Sequence, residues 1–352
     1  MNSNSVVLTS SKIFYRVINL KKIRYIIYGA GAIGSSVGGH LQRTGHQCVL
    51  IGKHGHIDCI NESGLRLITP QDSYQISIPS VTSPSKIDWS SNDIVMLCMK
   101  SQDTEEALRS LVQTGVDTLD IPIFCVQNSI TNEPVAARYF ERIYGVMVGF
   151  TGIYLEEGKV YNPVEGNAGY LEAGIYPTGI DDLVNQVVSD LSEASFAIQA
   201  NSNIMTAKGA KLLGNLGNAL RAICNGKGDE DRYVERTRKE AEQCLIAAGL
   251  PFESRTALAE RTRALRGINK LPEGVRNQGS TWQSIMRRKG STEADFLNGE
   301  IVRLGKIYGI PTPFNRVLQR IVRDMARNQD TPGKHTANEL YNVAEESSSK
   351  SV

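Results

Sequence analysis

From Ile23 the chain alternates short, wholly apolar runs with amphipathic ones. Residues 22–29 read KIRYIIYG, an apolar, β-prone run that ends on glycine. Residues 32–45, AIGSSVGGHLQRTG, have helical character up to a stop at Gly45, and CVLIG at 48–52 forms a second strand. A short amphipathic piece at 56–64 and an alternating stretch at 75–82 follow. Next come a strand at 93–100 (DIVMLCMK), a helix at 103–115 (DTEEALRSLVQTG) and a strand at 121–128 (IPIFCVQN). Strands alternating with helices predict a parallel α/β sheet. Runs apolar at every position, such as IVMLCM, predict strands covered on both faces. Strand-like runs continue to about residue 200 around one helix at 181–191, and after Asn201 the period becomes helical throughout. Leu297, Ile301, Leu304 and Tyr308, for instance, fall on one helix face. The pattern therefore predicts an α/β domain over 22–200 and an all-helical domain over 201–328. Residues 1–21 read as a flexible N-terminal extension. The polar stretch 329–352 reads as a disordered tail.

Composition narrows the function class. With Lys+Arg 39 against Asp+Glu 37, the net charge of +2 gives no clustered positive excess for nucleic acid. No run of 18 apolar residues occurs, so no membrane-spanning helix is expected. The six cysteines form no CxxC pair and sit mostly in apolar runs. They read as buried, reduced thiols, which predicts a reducing, cytoplasmic setting. The Ser-rich start without acidic residues is a weak organelle-targeting pattern, and a frayed terminus is the preferred reading, because the first strand is basic too. Five scattered histidines and no HExxH give no metal-ligand set.

The chemistry starts at Gly29-Ala30-Gly31-Ala32-Ile33-Gly34. This GxGxxG directly follows a strand and opens a helix, the context the motif requires. Gly29 permits the tight turn, Gly31 lets the backbone approach a pyrophosphate, and Gly34 lets helix and strand pack closely. The helix N-terminus supplies N–H groups and a partial positive charge. The α/β half thus reads as a Rossmann-type dinucleotide-binding domain. An NAD enzyme ends its second strand with an acid that grips the ribose 2′-hydroxyl. Here CVLIG is followed by Lys53, and no acid comes before Asp58. A cation there suits a 2′-phosphate, so the expected cofactor is NADP(H). A solvated surface lysine is the plain alternative.

Several separate blocks then carry a family resemblance. They are YGAGAIG at 28–34, MKSQDT at 99–104, VQNS at 126–129, KGAKLLGNLGNAL at 208–220, STWQS at 280–284 and GSTEADFLNGEIVRLGKIYGIPTPFN at 290–315. The chain resembles the ketopantoate reductases (2-dehydropantoate 2-reductases). The resemblance implies a Rossmann domain followed by a helical domain like the C-terminal domain of 6-phosphogluconate dehydrogenase. It also implies NADPH-dependent reduction of 2-dehydropantoate to pantoate in pantothenate biosynthesis. Its implied roles are Lys100 lining the cofactor cleft and Asn128 beside the nicotinamide and substrate. Lys211 matches the catalytic lysine, Asn215 a substrate-binding asparagine, Ser280 the holder of the substrate carboxylate, and Glu293 the acid near the substrate. The departures are Ser129 where the family usually has glycine and STWQS in place of S-M-x-x-D. Ala219 stands at one family asparagine and Asn225 only roughly matches another, while the charged loop 226–232 has no family equivalent. The partner expected is a small 2-oxo acid, with neither nucleic acid nor membrane, and the chain could form a homodimer.

Reduction of a 2-oxo acid needs a hydride, a proton for the developing alkoxide and a clamp for the carboxylate. Lys211 suits the proton role, and Asn215 at i+4 shares its helix face. Lys208, one turn before Lys211, reads as a surface residue, as a lysine ordinarily does. Glu293 orients Lys211 or binds a substrate hydroxyl, but it also looks like first-turn acid at a helix start. Asp295 reads as part of that helix start and Trp282 as a packing residue. The competing readings are a reductase of another oxo acid or imine and a non-catalytic NADP sensor.

Overall fold

A computed structural model describes residues 22–271, 279–288 and 290–349; the extension read at 1–21 lies outside them. The first half runs β1 (Arg24–Tyr28), α1 (Ala32–Arg43), β2 (Gln47–Ile51), α2 (His54–Ser63), β3 (Leu65–Ile68), β4 (Ser73–Ile76), β5 (Ser80–Val81), β6 (Asp93–Leu97) and α3 (Thr104–Gln113). It continues with β7 (Ile123–Cys125), α4 (Asn132–Ala136), β8 (Ile143–Val148), β9 (Lys159–Tyr161), β10 (Val164–Glu165), β11 (Tyr170–Ile175), α5 (Asp182–Glu193) and β12 (Ala197–Ala200). The main sheet has the order β12-β11-β8-β7-β6-β1-β2-β5. Strands β5 to β8 are mutually parallel, and β11 turns antiparallel against β8. The order reverses between β1 and β6, which makes the crevice between their carboxyl ends a ligand site.

Register decides what that crevice contains. Tyr28 is paired with both Ile51 and Leu97, and Leu97 with Cys125. The strands therefore end level, and their following loops open on one edge. The continuous apolar runs explain the core: every residue of β6 and β8 is buried. One apolar cluster lies under α1 and α5, a second under α3 and α4.

The helical half comprises α6 (Ile204–Asn215), α7 (Gly217–Ile223), α8 (Glu230–Ala247), α9 (Arg255–Thr262), α10 (Gly279–Met286), α11 (Asn298–Tyr308), α12 (Pro313–Arg327) and α13 (Ala337–Ser349). It is not purely helical. Ile268 and Asn269 form a short β13 against β10, with Lys270 Nζ 2.6 Å from Glu165 Oε1. Helix α6 packs on the sheet through Ile204, Ala207 and Ala210, beside Met147 and Tyr170.

The tail corrects the sequence reading. Residues 337–349 form a helix with Ala337, Leu340 and Ala344 buried, and Tyr341 lies 5.0 Å from the Phe314 ring. Its apolar stripe is narrow and its outer face polar, so composition alone mimics disorder. The loop 226–232 explains itself here. Lys227 accepts from Ala337 N (3.1 Å), Asp229 N donates to Asn338 (3.2 Å), and the Asp229 side chain caps α8. The charged loop holds the tail helix in place. Leu340→Ala should therefore destabilise the protein by about 2–4 kcal/mol, measured by urea unfolding. A change under about 0.5 kcal/mol, typical of surface positions, would show that the tail does not pack.

Candidate active site

The level strand ends and the facing helices enclose a cleft of about 740 Å3. On its sheet side lies the glycine turn. Gly29 has φ +105°, and a Cβ there would stand 2.4 Å from Met99 N; a Cβ on Gly34 would stand 2.3 Å from Gly29 O. Both glycines are required by packing within the protein. Gly31 differs: a Cβ there would meet nothing within 4 Å. The space beside it is left free on the cleft side, where Gly31, Ala30, Ala32 and Ile33 all line the wall. Helix α1 begins at Ala32 with no acid in its first turn, so its positive end faces the cleft unneutralised. These features fit the pyrophosphate of a dinucleotide.

Lys53 follows β2, lines the cleft and is exposed. Sequence reasoning missed its neighbour His56, which is buried. His56 Nδ1 accepts from Gly158 N (2.9 Å), so the neutral ring carries its proton on Nε2 and donates to Ser35 Oγ (3.1 Å). Burial lowers its pKa, which agrees with a neutral imidazole. The ring therefore ties α2 to α1 beside the turn. Nothing in its spacing could have revealed this, because the partner Gly158 is about a hundred residues away. Glu157 also lines the cleft, with Oε2 3.7 Å from His56 Nδ1.

From β6 and β7 come Lys100 and Asn128, both on the cleft wall. The Lys100 ammonium donates to Ser284 of α10, and burial lowers its pKa against the pull of Glu293. At the last position of STWQS the lysine thus meets a neutral hydroxyl. Ser129 has φ +73°, the conformation that favours glycine at this place. Its hydroxyl donates to Phe296 O (2.6 Å) and offsets part of the strain.

From the helical side Lys211, Asn215, Ser280 and Glu293 face the same cleft, with Asn218 beside them. The Lys211 ammonium donates to Val148 O at the end of β8. Burial lowers its pKa to about 7, with Lys208 and Arg266 acting in the same direction and Glu293 opposing. Glu293 Oε1 accepts from Ser101 N and Oγ at 3.4 and 3.5 Å. It thus faces the Rossmann half as well as the lysine.

Five expectations need revision or placement. Lys208 is not a surface residue: it is 2 % exposed, its Nζ lies 2.5 Å from the fully buried Glu133, and it donates to Gln127 O (2.9 Å). Lysine is so rarely buried that sequence alone favours the surface, and only a distant acid and converging carbonyls reverse this. Asn225 does not line the cleft; its backbone N donates to His335 O beside the tail helix. Ala219 is core. Asp295 binds Gln319 (2.7 Å) and pairs with Arg323, and Trp282 packs against the helical core.

Known proteins share this fold. The family described as "Ketopantoate reductase PanE/ApbA" matches residues 25–173, and "Ketopantoate reductase PanE/ApbA C terminal" matches 203–326. A 2-dehydropantoate 2-reductase of Pyrococcus horikoshii is 30% identical over 309 residues, 86% of this chain and 97% of that protein. One of Halobacterium salinarum is 28% identical over 313 residues, 86% of this chain and 98% of that protein. The crystal structure of a PanE/ApbA family ketopantoate reductase from Ralstonia eutropha JMP134 superposes with TM-score 0.73 at 27% identity, covering 87% of this chain and 99% of that one. D-mandelate dehydrogenase with NADH and anilino(oxo)acetate shares the fold, with TM-score 0.73 at 23% identity over 87% of this chain and 99% of that one. With both halves matched in order and nearly the full length of its relatives spanned, the chain belongs to the ketopantoate reductase family.

Proposed function

We propose that this protein reduces 2-dehydropantoate to pantoate with NADPH. The observation that carries the reading is the meeting of Lys211 and Glu293, from the helical half, with the glycine turn and Lys100 of the α/β half in one cleft. A sensor needs the nucleotide wall only. A reductase also needs a proton source opposite it, and Lys211 on the helical side of the cleft supports that reading.

The bound nicotinamide supplies the hydride; the chain's residues do the rest. The glycine turn and the α1 N-terminus take the pyrophosphate, and Lys53 takes the 2′-phosphate. Lys211 spends one N–H on Val148 O, which leaves two for the substrate oxygen. A lysine whose pKa lies near 7 donates its proton at neutral pH, while its charge stabilises the growing alkoxide. Asn215, on the same helix face, and Ser280 bind the hydroxyl and carboxylate ends of the substrate. Glu293 holds the loop after β6 through Ser101 and so keeps both walls of the cleft in register.

Lys211→Ala should lower kcat by roughly 10²–10⁴ while the NADPH Kd moves little, because the transition state carries more charge on that oxygen than the ground state. Steady-state kinetics with ketopantoate and a panel of other 2-oxo acids measures it; wild-type activity in the variant removes the mechanism. The donor works protonated, so turnover in the reducing direction should fall as pH rises through about 7. A pH–rate profile flat across that range argues against Lys211 as donor.

Gly31→Val should fold normally, since its Cβ meets no protein atom, yet lose NADPH binding. Melting temperature and fluorescence titration together test this, and normal binding would show the turn misread. Lys53→Ala should weaken NADPH binding by about 1–3 kcal/mol and leave NADH almost unchanged. A wild-type preference for NADH would transfer the ribose grip to Glu157, the acid on the same wall.

A further inference from the structure

We propose that Lys208 is a positioning residue for Lys211: it fixes the catalytic helix on the ends of β7 and β8 and holds a second positive charge one turn from the proton donor. This rests on Lys211 being that donor. Lys208 and Lys211 are separated by one turn of α6, and both reach to the carboxyl edge of the sheet. Lys208 Nζ lies 2.9 Å from Gln127 O, 3.4 Å from Cys125 O and 3.5 Å from Val146 O, while Lys211 donates to Val148 O. The first three carbonyls belong to the segments that lead into Asn128 and Val148, so α6 is pinned to the strand ends that form the cofactor wall.

Such a burial requires a reason. Lysine is almost never fully buried without a partner, and a buried ion pair stabilises a fold no better than apolar residues of the same shape. An aliphatic side chain at 208 would suit the apolar faces of α6 equally well. Its chemical product is a fixed cation beside Lys211. The carboxylate of Glu133, at 2.5 Å from Nζ, pairs with that cation from the far side, on α4. Burial pushes the Glu133 carboxyl up, and Lys208 opposes the shift.

Among the described residues, three charged groups act on Lys211. Lys208 acts from its own helix and Arg266 from the segment after α9, and both favour release of the proton. Glu293, from the turn before α11, favours retention. Around Lys208 itself stand Glu133 and the Cys125 thiol of β7, whose titration burial places far above neutrality. Lys208 and Arg266 therefore make Lys211 a stronger acid than burial alone does. Lys208, anchored on three carbonyls and a carboxylate, is the fixed one of the two.

The test replaces the pair by apolar groups of similar shape, Lys208→Met with Glu133→Leu, and compares pH–rate profiles with those of the wild type. The double variant should fold, bind NADPH within about threefold of wild type, and show the alkaline fall of kcat moved upward by about one pH unit. A merely structural pair would change stability and leave that fall in place, and a folded double variant with an unmoved profile overturns the proposal. Lys208→Arg keeps the charge and the donors and should leave the profile at its wild-type position; a displaced profile in that variant overturns the proposal even where the double variant fails to fold. Failure of the donor assignment itself would be seen separately, as full activity in Lys211→Ala.

Discussion

The carboxyl ends of a parallel sheet leave carbonyl groups that need donors, and here two lysines of one helix provide them. Lys208 and Lys211 bring their ammonium groups to the ends of β7 and β8. An unpaired carbonyl or an unpaired ammonium in that place would be strongly unfavourable. Each satisfies the other only when α6 sits at one height and one rotation on the sheet. Everything the site requires follows from that docking. Asn215 is carried onto the same cleft wall by helical periodicity.

A second set of contacts closes the cleft from the other side. Lys100 meets Ser284, Ser101 meets Glu293, and Ser129 meets Phe296. All three Rossmann-side residues lie on the loops after β6 and β7, and all three partners lie between α10 and the start of α11. The two halves are therefore joined beside the cleft, and Lys100, Ser284 and Glu293 both line it and bridge the halves. The substitution at Ser129 shows how such a seam tolerates change. The backbone conformation prefers glycine, but the hydroxyl gains a hydrogen bond across the seam. The tail helix α13 adds to the helical half alone, through Leu340, Tyr341 and the loop 226–232, and leaves the cleft untouched.

The order of strands and helices, the glycine turn and the change of texture near residue 200 could all be read from the sequence, because each depends on neighbours within a few positions. Period two or three-and-a-half and a glycine at a strand end are local facts. The same is true of Lys211 with Asn215, which sit one turn apart. By contrast, the sequence placed Lys208 on the surface and the tail in disorder. Both errors concern residues whose environment comes from far along the chain: Glu133 for Lys208, and Tyr233 with Phe314 for Tyr341. His56 went unnoticed for the same reason.

The sequence by itself thus determined the two-part architecture, the dinucleotide turn and the lysine-asparagine face that lines the cleft. The tertiary structure decided which lysine is buried, how acidic its neighbour becomes, and which loops the two halves share. Local spacing sets the direction of a side chain relative to its own helix or strand. Desolvation and charge pairing depend on what the rest of the chain brings within a few ångströms of it, and only the folded arrangement of β7, β8, α4 and α6 supplies that.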